Sequence, residues 1–77
     1  MSAEPPVVLL YVRAGCPHSD AARAALAARG ARVREIDVSA SPRAIPELLK
    51  LTGGRRIVPV VVEDGIVRVA PDGGTEF

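Results

Sequence analysis

Seventy-seven residues make one domain at most; a chain this short buries roughly 60–65% of the surface its unfolded form exposes, so its core is small and its stability margin thin. Hydrophobic residues are 48% and charged residues 25%, an ordinary globular balance that argues against disorder. Ten basic against nine acidic side chains leave a net charge of +1, which excludes a strongly cationic nucleic-acid binder, and the longest apolar runs, Val7–Val12 and Ile57–Val62, are six residues each, far below the span of a membrane helix.

Residues 1–6 read as a loose terminal arm without the basic segment or apolar core of a secretory signal, and residues 7–77 as a single domain. Val7–Val12 is apolar on both faces and suits a central strand covered on both sides. Arg13-Ala14-Gly15 is a short loop. Cys16-Pro17 then opens an alanine-rich helix running to Ala28. Pro17 fits the first helical position, Asp20 faces the positive helix end, and Gly30 stops the helix. Ala31–Val38 is a second strand, placed at a sheet edge because its alternation breaks around Glu35. Strand, helix, strand within about 30 residues is a βαβ unit, so the two strands run parallel.

Ser41-Pro42 reads as a cap and a first helical residue. Ile45, Leu48, Leu49 and Thr52 follow helical spacing. Pro46 conflicts with a helix running cleanly from Pro42, so the first turn is expected to be irregular. Gly53-Gly54 ends the helix. Ile57–Glu63 and Ile66–Ala70 flank Asp64-Gly65, a strong hairpin signal. The tail from Pro71 to Phe77 shows no regular pattern. The result is a β-α-β-α-β-β chain with a parallel pair joined to an antiparallel hairpin in one four-stranded mixed sheet.

Cys16 is the only cysteine. It cannot form an internal disulfide, and a reducing cytoplasm is the expected compartment. His18 is the only histidine, so no structural zinc site is expected within one chain. Tyr11 and Phe77 are the only aromatics, which leaves no platform for stacking nucleic-acid bases. At the start of a helix, backbone N–H groups and the helix dipole favour a thiolate, and Arg13 adds a positive charge nearby. A buried cysteine acting as a small hydrophobe is the bland alternative. Ser19 stands where a second thiol would resolve a disulfide; serine cannot, so Cys16 exchanges with an external thiol, or Ser19 merely solvates the first turn. His18 modulates the thiolate or is an ordinary exposed residue. Arg55 and Arg56 bind a carboxylate or are solvated loop charges. Val58-Pro59 begins the hairpin, and base frequencies alone favour a trans peptide there.

The order strand, Arg13-Ala-Gly-Cys16-Pro17-His18-Ser19, alanine-rich helix, strand with Asp37, then Thr52-Gly-Gly-Arg55-Arg56-Ile57-Val58-Pro59 resembles the glutaredoxin family of the thioredoxin-like fold. The stretch Leu48–Gly65 looks most like the short glutaredoxin-like proteins called the Uxx-star family, some of which carry selenocysteine at the place of Cys16. The resemblance implies a nucleophilic Cys16 in an active-site turn completed by Pro17, His18 and Ser19. It implies that Arg13 matches the family's basic residue before the nucleophile. It also implies that Val58 offers its backbone to the cysteinyl part of glutathione and that Pro59 is cis. Glutathione would be a co-substrate, with another low-molecular-weight thiol or protein mixed disulfides as partners, and no metal is expected. The chain departs from the family at Ile57, where a threonine is usual. The family's Gly-Gly pair for the γ-glutamyl end is counted near Val69-Ala70, whereas Gly73-Gly74 lies four residues later. The family's C-terminal helix is missing. That leaves part of the sheet bare unless the tail and Phe77 fold back, and a monomer or weak homodimer is expected. The leading expectation is a monothiol thiol–disulfide oxidoreductase. The alternatives are a glutathione-dependent [2Fe–2S] cluster protein, a thiol or selenol peroxidase, and a non-catalytic scaffold.

Overall fold

The computed structural model describes residues 7–77; the expected N-terminal arm lies outside them. The elements are β1 (Val7–Val12), α1 (Pro17–Ala28), β2 (Arg32–Asp37), a 3₁₀ turn (Pro42–Ala44), α2 (Ile45–Thr52), β3 (Ile57–Val58), β4 (Val60–Glu63), β5 (Ile66–Val69) and β6 (Thr75–Glu76). Four strands form one mixed sheet in the order β2-β1-β4-β5. β1 pairs parallel with β2 and antiparallel with β4, as a central strand flanked by a βαβ crossover and a hairpin should. This is the architecture of a thioredoxin-like fold. No helix among the described residues is long and apolar enough to cross a membrane.

Alternation along β1 divides the interior into two layers. Val8, Leu10 and Val12 face Leu26 and Ala22 of α1, joined by Val61 of β4. Tyr11 faces the other way, into a cluster with Cys16, Val38, Leu48, Val58 and Val60, which α2 covers with Ile45, Leu48 and Leu51. The continuous apolar character of Val7–Val12 is thus the signature of a strand covered on both faces.

The helix ends follow local chemistry. At the end of α1, the Gly30 N–H donates to Ala27 O (3.0 Å) and the Ala31 N–H to Leu26 O (3.1 Å), a Schellman arrangement that needs the left-handed backbone Gly30 supplies at φ 70°. The conflict between Pro42 and Pro46 is resolved as expected, by a 3₁₀ turn before the regular helix. Ser41 does stand before the turn, but its side chain makes no capping hydrogen bond. In the hairpin, Asp64 and Gly65 both take positive φ (52° and 75°), as a type I′ turn requires.

Two expectations need correction. The run Ile57–Glu63 is not one strand. It breaks at Pro59 into β3 and β4, and the Val58–Pro59 peptide is cis, so the trans reading from base frequencies fails and the reading from the family resemblance holds. The tail is not patternless either. Thr75–Glu76 forms β6, antiparallel to β3, with Ile57 opposite Glu76 and Val58 opposite Thr75. A two-residue strand shows no periodicity of its own; its partner lies far away in sequence, and only the folded chain brings them together. Phe77 does fold back, against the α2-side cluster that contains Cys16. On the other side, Ala22, Leu26, Val61 and Pro71 border a shallow concavity, and Ile66 on the edge strand is 63% exposed.

Candidate active site

The strand-to-helix junction presents the sulfur. After β1 the loop turns sharply: Gly15 takes φ 78°, and the Cys16 N–H donates to Arg13 O at 3.2 Å. Cys16 is the N-cap of α1. Its backbone is extended, its carbonyl accepts the Asp20 N–H at 3.2 Å, and Pro17 follows at the helix start. The sulfur therefore sits beside first-turn N–H groups that no helical carbonyl can satisfy.

Cys16 is only 5% exposed. Its thiol donates to Thr75 Oγ1 at 3.3 Å. Ser19 is fully buried one turn into the helix, and its hydroxyl meets no hydrogen-bond partner among the described residues. A buried hydroxyl so placed turns to the sulfur once charge develops. Burial pushes the thiol up. The Ser19 hydroxyl, the Thr75 hydroxyl and the N–H groups of Ser19 and His18 outweigh it, and the Cys16 pKa falls below its ordinary value of 9.0. The Arg13 guanidinium lies over the Phe77 ring, 5.6 Å from the centroid.

Of the residues singled out in the sequence, Cys16, Pro17, His18 and Ser19 form one turn, and Val58 packs in the same cluster as the sulfur. Pro59 is buried beside it. Arg56 lies over the Phe77 ring at 5.0 Å, and its carbonyl accepts the Phe77 N–H at 3.0 Å. The Arg55 main chain is held by Thr52: its N–H donates to the Thr52 hydroxyl, which in turn donates to the Arg55 carbonyl.

The displaced glycine pair is also corrected. Gly73 and Gly74 reach the site after all. A Cβ on Gly73 would lie 3.0 Å from the His18 ring, and one on Gly74 only 2.5 Å from Val58 O. Counting along the strand missed this because the chain turns. Ala70 adopts φ 45°, its N–H donates to Pro59 O (2.8 Å), and its carbonyl accepts the Gly73 N–H (3.0 Å). That turn absorbs the extra residues and carries Gly73 back to His18. Thr75 and Phe77 were not among the candidates. The one local signal for them was a glycine pair immediately before a β-branched residue.

The family model for glutaredoxin matches residues 8–67, which is most of the chain. The chain belongs to the glutaredoxin family. Neither the curated proteins nor the solved structures compared with it give a match. Membership in the glutaredoxin family carries a thiol–disulfide oxidoreductase-like role, and the family typically uses glutathione. In this glutaredoxin there is one cysteine, and the fold sets it at a helix start with a lowered pKa.

Proposed function

We propose that the protein is a monothiol oxidoreductase that exchanges glutathione, or a closely similar thiol, with mixed disulfides through Cys16. The observation that carries this reading is the seat of Cys16 at the start of α1, 3.3 Å from the Thr75 hydroxyl, where Ser19, Thr75 and two first-turn N–H groups lower its pKa against the opposing effect of burial. The thiolate is the attacking form, and a thiol whose pKa lies nearer ambient pH exchanges faster.

The exchange runs in two steps. The Cys16 thiolate attacks the glutathione sulfur of a mixed disulfide. A new S–S bond forms to Cys16, the old S–S bond breaks, and the electron pair leaves on the departing thiolate, which takes a proton from water. A second glutathione thiolate then attacks the glutathione sulfur bound to Cys16. This yields oxidised glutathione and restores the Cys16 thiolate. Overall the mixed disulfide and one free glutathione thiol become the substrate thiol and oxidised glutathione. Ser19 and Thr75 are the positioning residues: both stabilise the charge on the resting sulfur, and Ser19 does so again when it leaves. The main chain of Val58, next to the cis peptide, is the proposed place for the cysteinyl backbone of glutathione. Arg13, Arg55 and Arg56 are the proposed sources of positive charge for its carboxylates. A reducing compartment such as the cytoplasm supplies the thiol that the second step consumes.

The test is to incubate the chain with oxidised glutathione at neutral pH and follow intact mass, then add reduced glutathione. The intact chain, a variant lacking residues 75–77, Cys16→Ser and the denatured chain are compared. One glutathione added per chain faster than in denatured protein, and removed by reduced glutathione, supports the reading. A rate that exceeds the denatured chain in neither the intact nor the shortened protein overturns it.

A further inference from the structure

Three observations meet at the β3 edge. Thr75 pairs with Val58 in an antiparallel ladder. The Phe77 N–H donates to Arg56 O at 3.0 Å, and the alternation of such a ladder makes Val58 and Thr75 its next hydrogen-bonded pair. Thr75 Oγ1 also lies 3.3 Å from the Cys16 sulfur, which is 5% exposed. The segment is anchored beyond this contact. Arg13 and Arg56 both lie over the Phe77 ring, at 5.6 and 5.0 Å, and the ring packs against the cluster that holds Cys16. Gly74 allows the approach, because any side chain there would collide with Val58 O.

We infer that Thr75–Phe77 is an internal strand occupying the β3 edge in place of the substrate backbone, so that the tail must leave β3 before a disulfide reaches Cys16. This rests on the oxidoreductase reading for what the tail displaces. The cover itself does not depend on that reading. An extended peptide adds to an exposed strand edge through main-chain hydrogen bonds, and the edge of β3 beside Cys16 already holds such a strand. The Thr75 hydroxyl stands against the sulfur, where the sulfur of a bound disulfide must arrive. Arg13 and Arg56, the proposed sources of charge for ligand carboxylates, are engaged by Phe77 while the tail is docked. Two paired residues and one ring are a small anchor, suited to local opening without global unfolding.

The experiment measures alkylation of Cys16 by iodoacetamide across pH and compares plateau rates, where every thiol is ionised. The chains are the intact protein, one lacking residues 75–77, Gly74→Ala and Phe77→Ala, each checked for folding by circular dichroism. Gly74→Ala and Phe77→Ala keep Thr75, so their thiol chemistry is otherwise that of the intact chain. A plateau rate about tenfold higher in the shortened chain and in Gly74→Ala, equivalent to about 1.4 kcal/mol of docking energy, supports the cover, with a smaller rise in Phe77→Ala. Plateau rates within about twofold of the intact chain, where tenfold stands for each 1.4 kcal/mol, overturn it. A second measurement needs no deletion. In Thr75→Cys, diamide removes two hydrogen atoms and joins the introduced thiol to Cys16 if the tail lies where the structure sets it. Two thiols that stay free in folded protein overturn the docked tail. Iodoacetamide reads the cover whatever the redox chemistry. Failure of glutathione exchange in the uncovered chain sinks the oxidoreductase reading and leaves the cover standing.

Discussion

The Cys16 sulfur and the Thr75 hydroxyl are 59 positions apart in sequence and 3.3 Å apart in the fold. In the neutral state the thiol donates to the hydroxyl. When the thiol ionises the bond reverses, and the Thr75 O–H donates to the sulfur. One contact therefore has two opposed consequences. It stabilises the reactive thiolate, and it holds a strand across the route to it.

Thr75→Val separates these effects. Valine keeps the shape and β-branching that suit β6 but has no hydroxyl. The pKa of Cys16 should rise, because one of the hydrogen bonds that lower it is gone. Hydrogen bonds to buried charged groups contribute about 1.5–3 kcal/mol, and an exposed Thr75 contributes less, so alkylation at neutral pH should slow by roughly three- to tenfold. The plateau rate at high pH should stay put, because the strand remains docked. Thr75→Ser should restore the midpoint. A midpoint that does not move in Thr75→Val would remove Thr75 from the account of the thiol.

Ser19→Ala should move the midpoint further in the same direction, since the Ser19 hydroxyl is the largest of the groups that lower the Cys16 pKa. It should also change stability with a sign that depends on pH. The Ser19 hydroxyl is buried without a hydrogen-bond partner among the described residues, so where the thiol is neutral and offers no charge to it, removing the hydroxyl should relieve a cost of about 1–3 kcal/mol. In the ionised protein the same substitution takes away a donor to the thiolate. Urea unfolding should find the variant at least as stable as the parent at acid pH and less stable at alkaline pH. Equal destabilisation at both would mean that Ser19 serves packing alone.

Much of this was written in local sequence. β1 announces itself by apolar residues on both faces, α1 by Pro17 and its alanines, and the hairpin by Asp64-Gly65. Cys16 is legible because a cysteine before a proline at a strand-to-helix junction has few bland explanations. What remained hidden depends on contacts between distant segments. Thr75 and Glu76 carry no periodicity, and β3 offers only two residues to pair with them. The approach of Gly73 to His18 is not legible in a count of residues, which assumes the chain runs straight on from β5. Ala70 turns it at φ 45°, a conformation alanine seldom takes and sequence does not advertise. Arg13 and Arg56 were legible as charges, but their position over Phe77 follows only from the docked tail.

Leu48→Ala tests how far the site depends on α2. Leu48 is fully buried and packs with Tyr11, Cys16, Val38, Val58 and Val60. Truncation of such a side chain costs about 2–5 kcal/mol, against a total of about 4–12 kcal/mol for a domain of this size. The urea midpoint should fall steeply with little change in slope. Alkylation of Cys16 at its plateau should rise as the cluster loosens. An unchanged midpoint would mean that α2 contributes little to the core that backs the sulfur.

Linkage gives the thiol a measurable effect on stability. The folded pKa of Cys16 is lowered relative to the unfolded chain, so between the two values the unfolded state holds a proton that the folded state has released. Stability contributed by the thiolate is therefore fully present above the unfolded value and is lost as pH falls through the folded one. Cys16→Ala has no such group. Urea unfolding of both proteins from about pH 5 to about pH 9 should show the parent gaining on the variant as pH rises through that window. Carboxylates titrate below it and are shared by both chains, so they cancel in the difference. Ser19→Ala should flatten the gain, because it removes the largest of the groups that lower the thiol. A difference that is flat, or that falls as pH rises, would show that burial prevails over the hydrogen bonds and that the resting thiol is not activated by the fold.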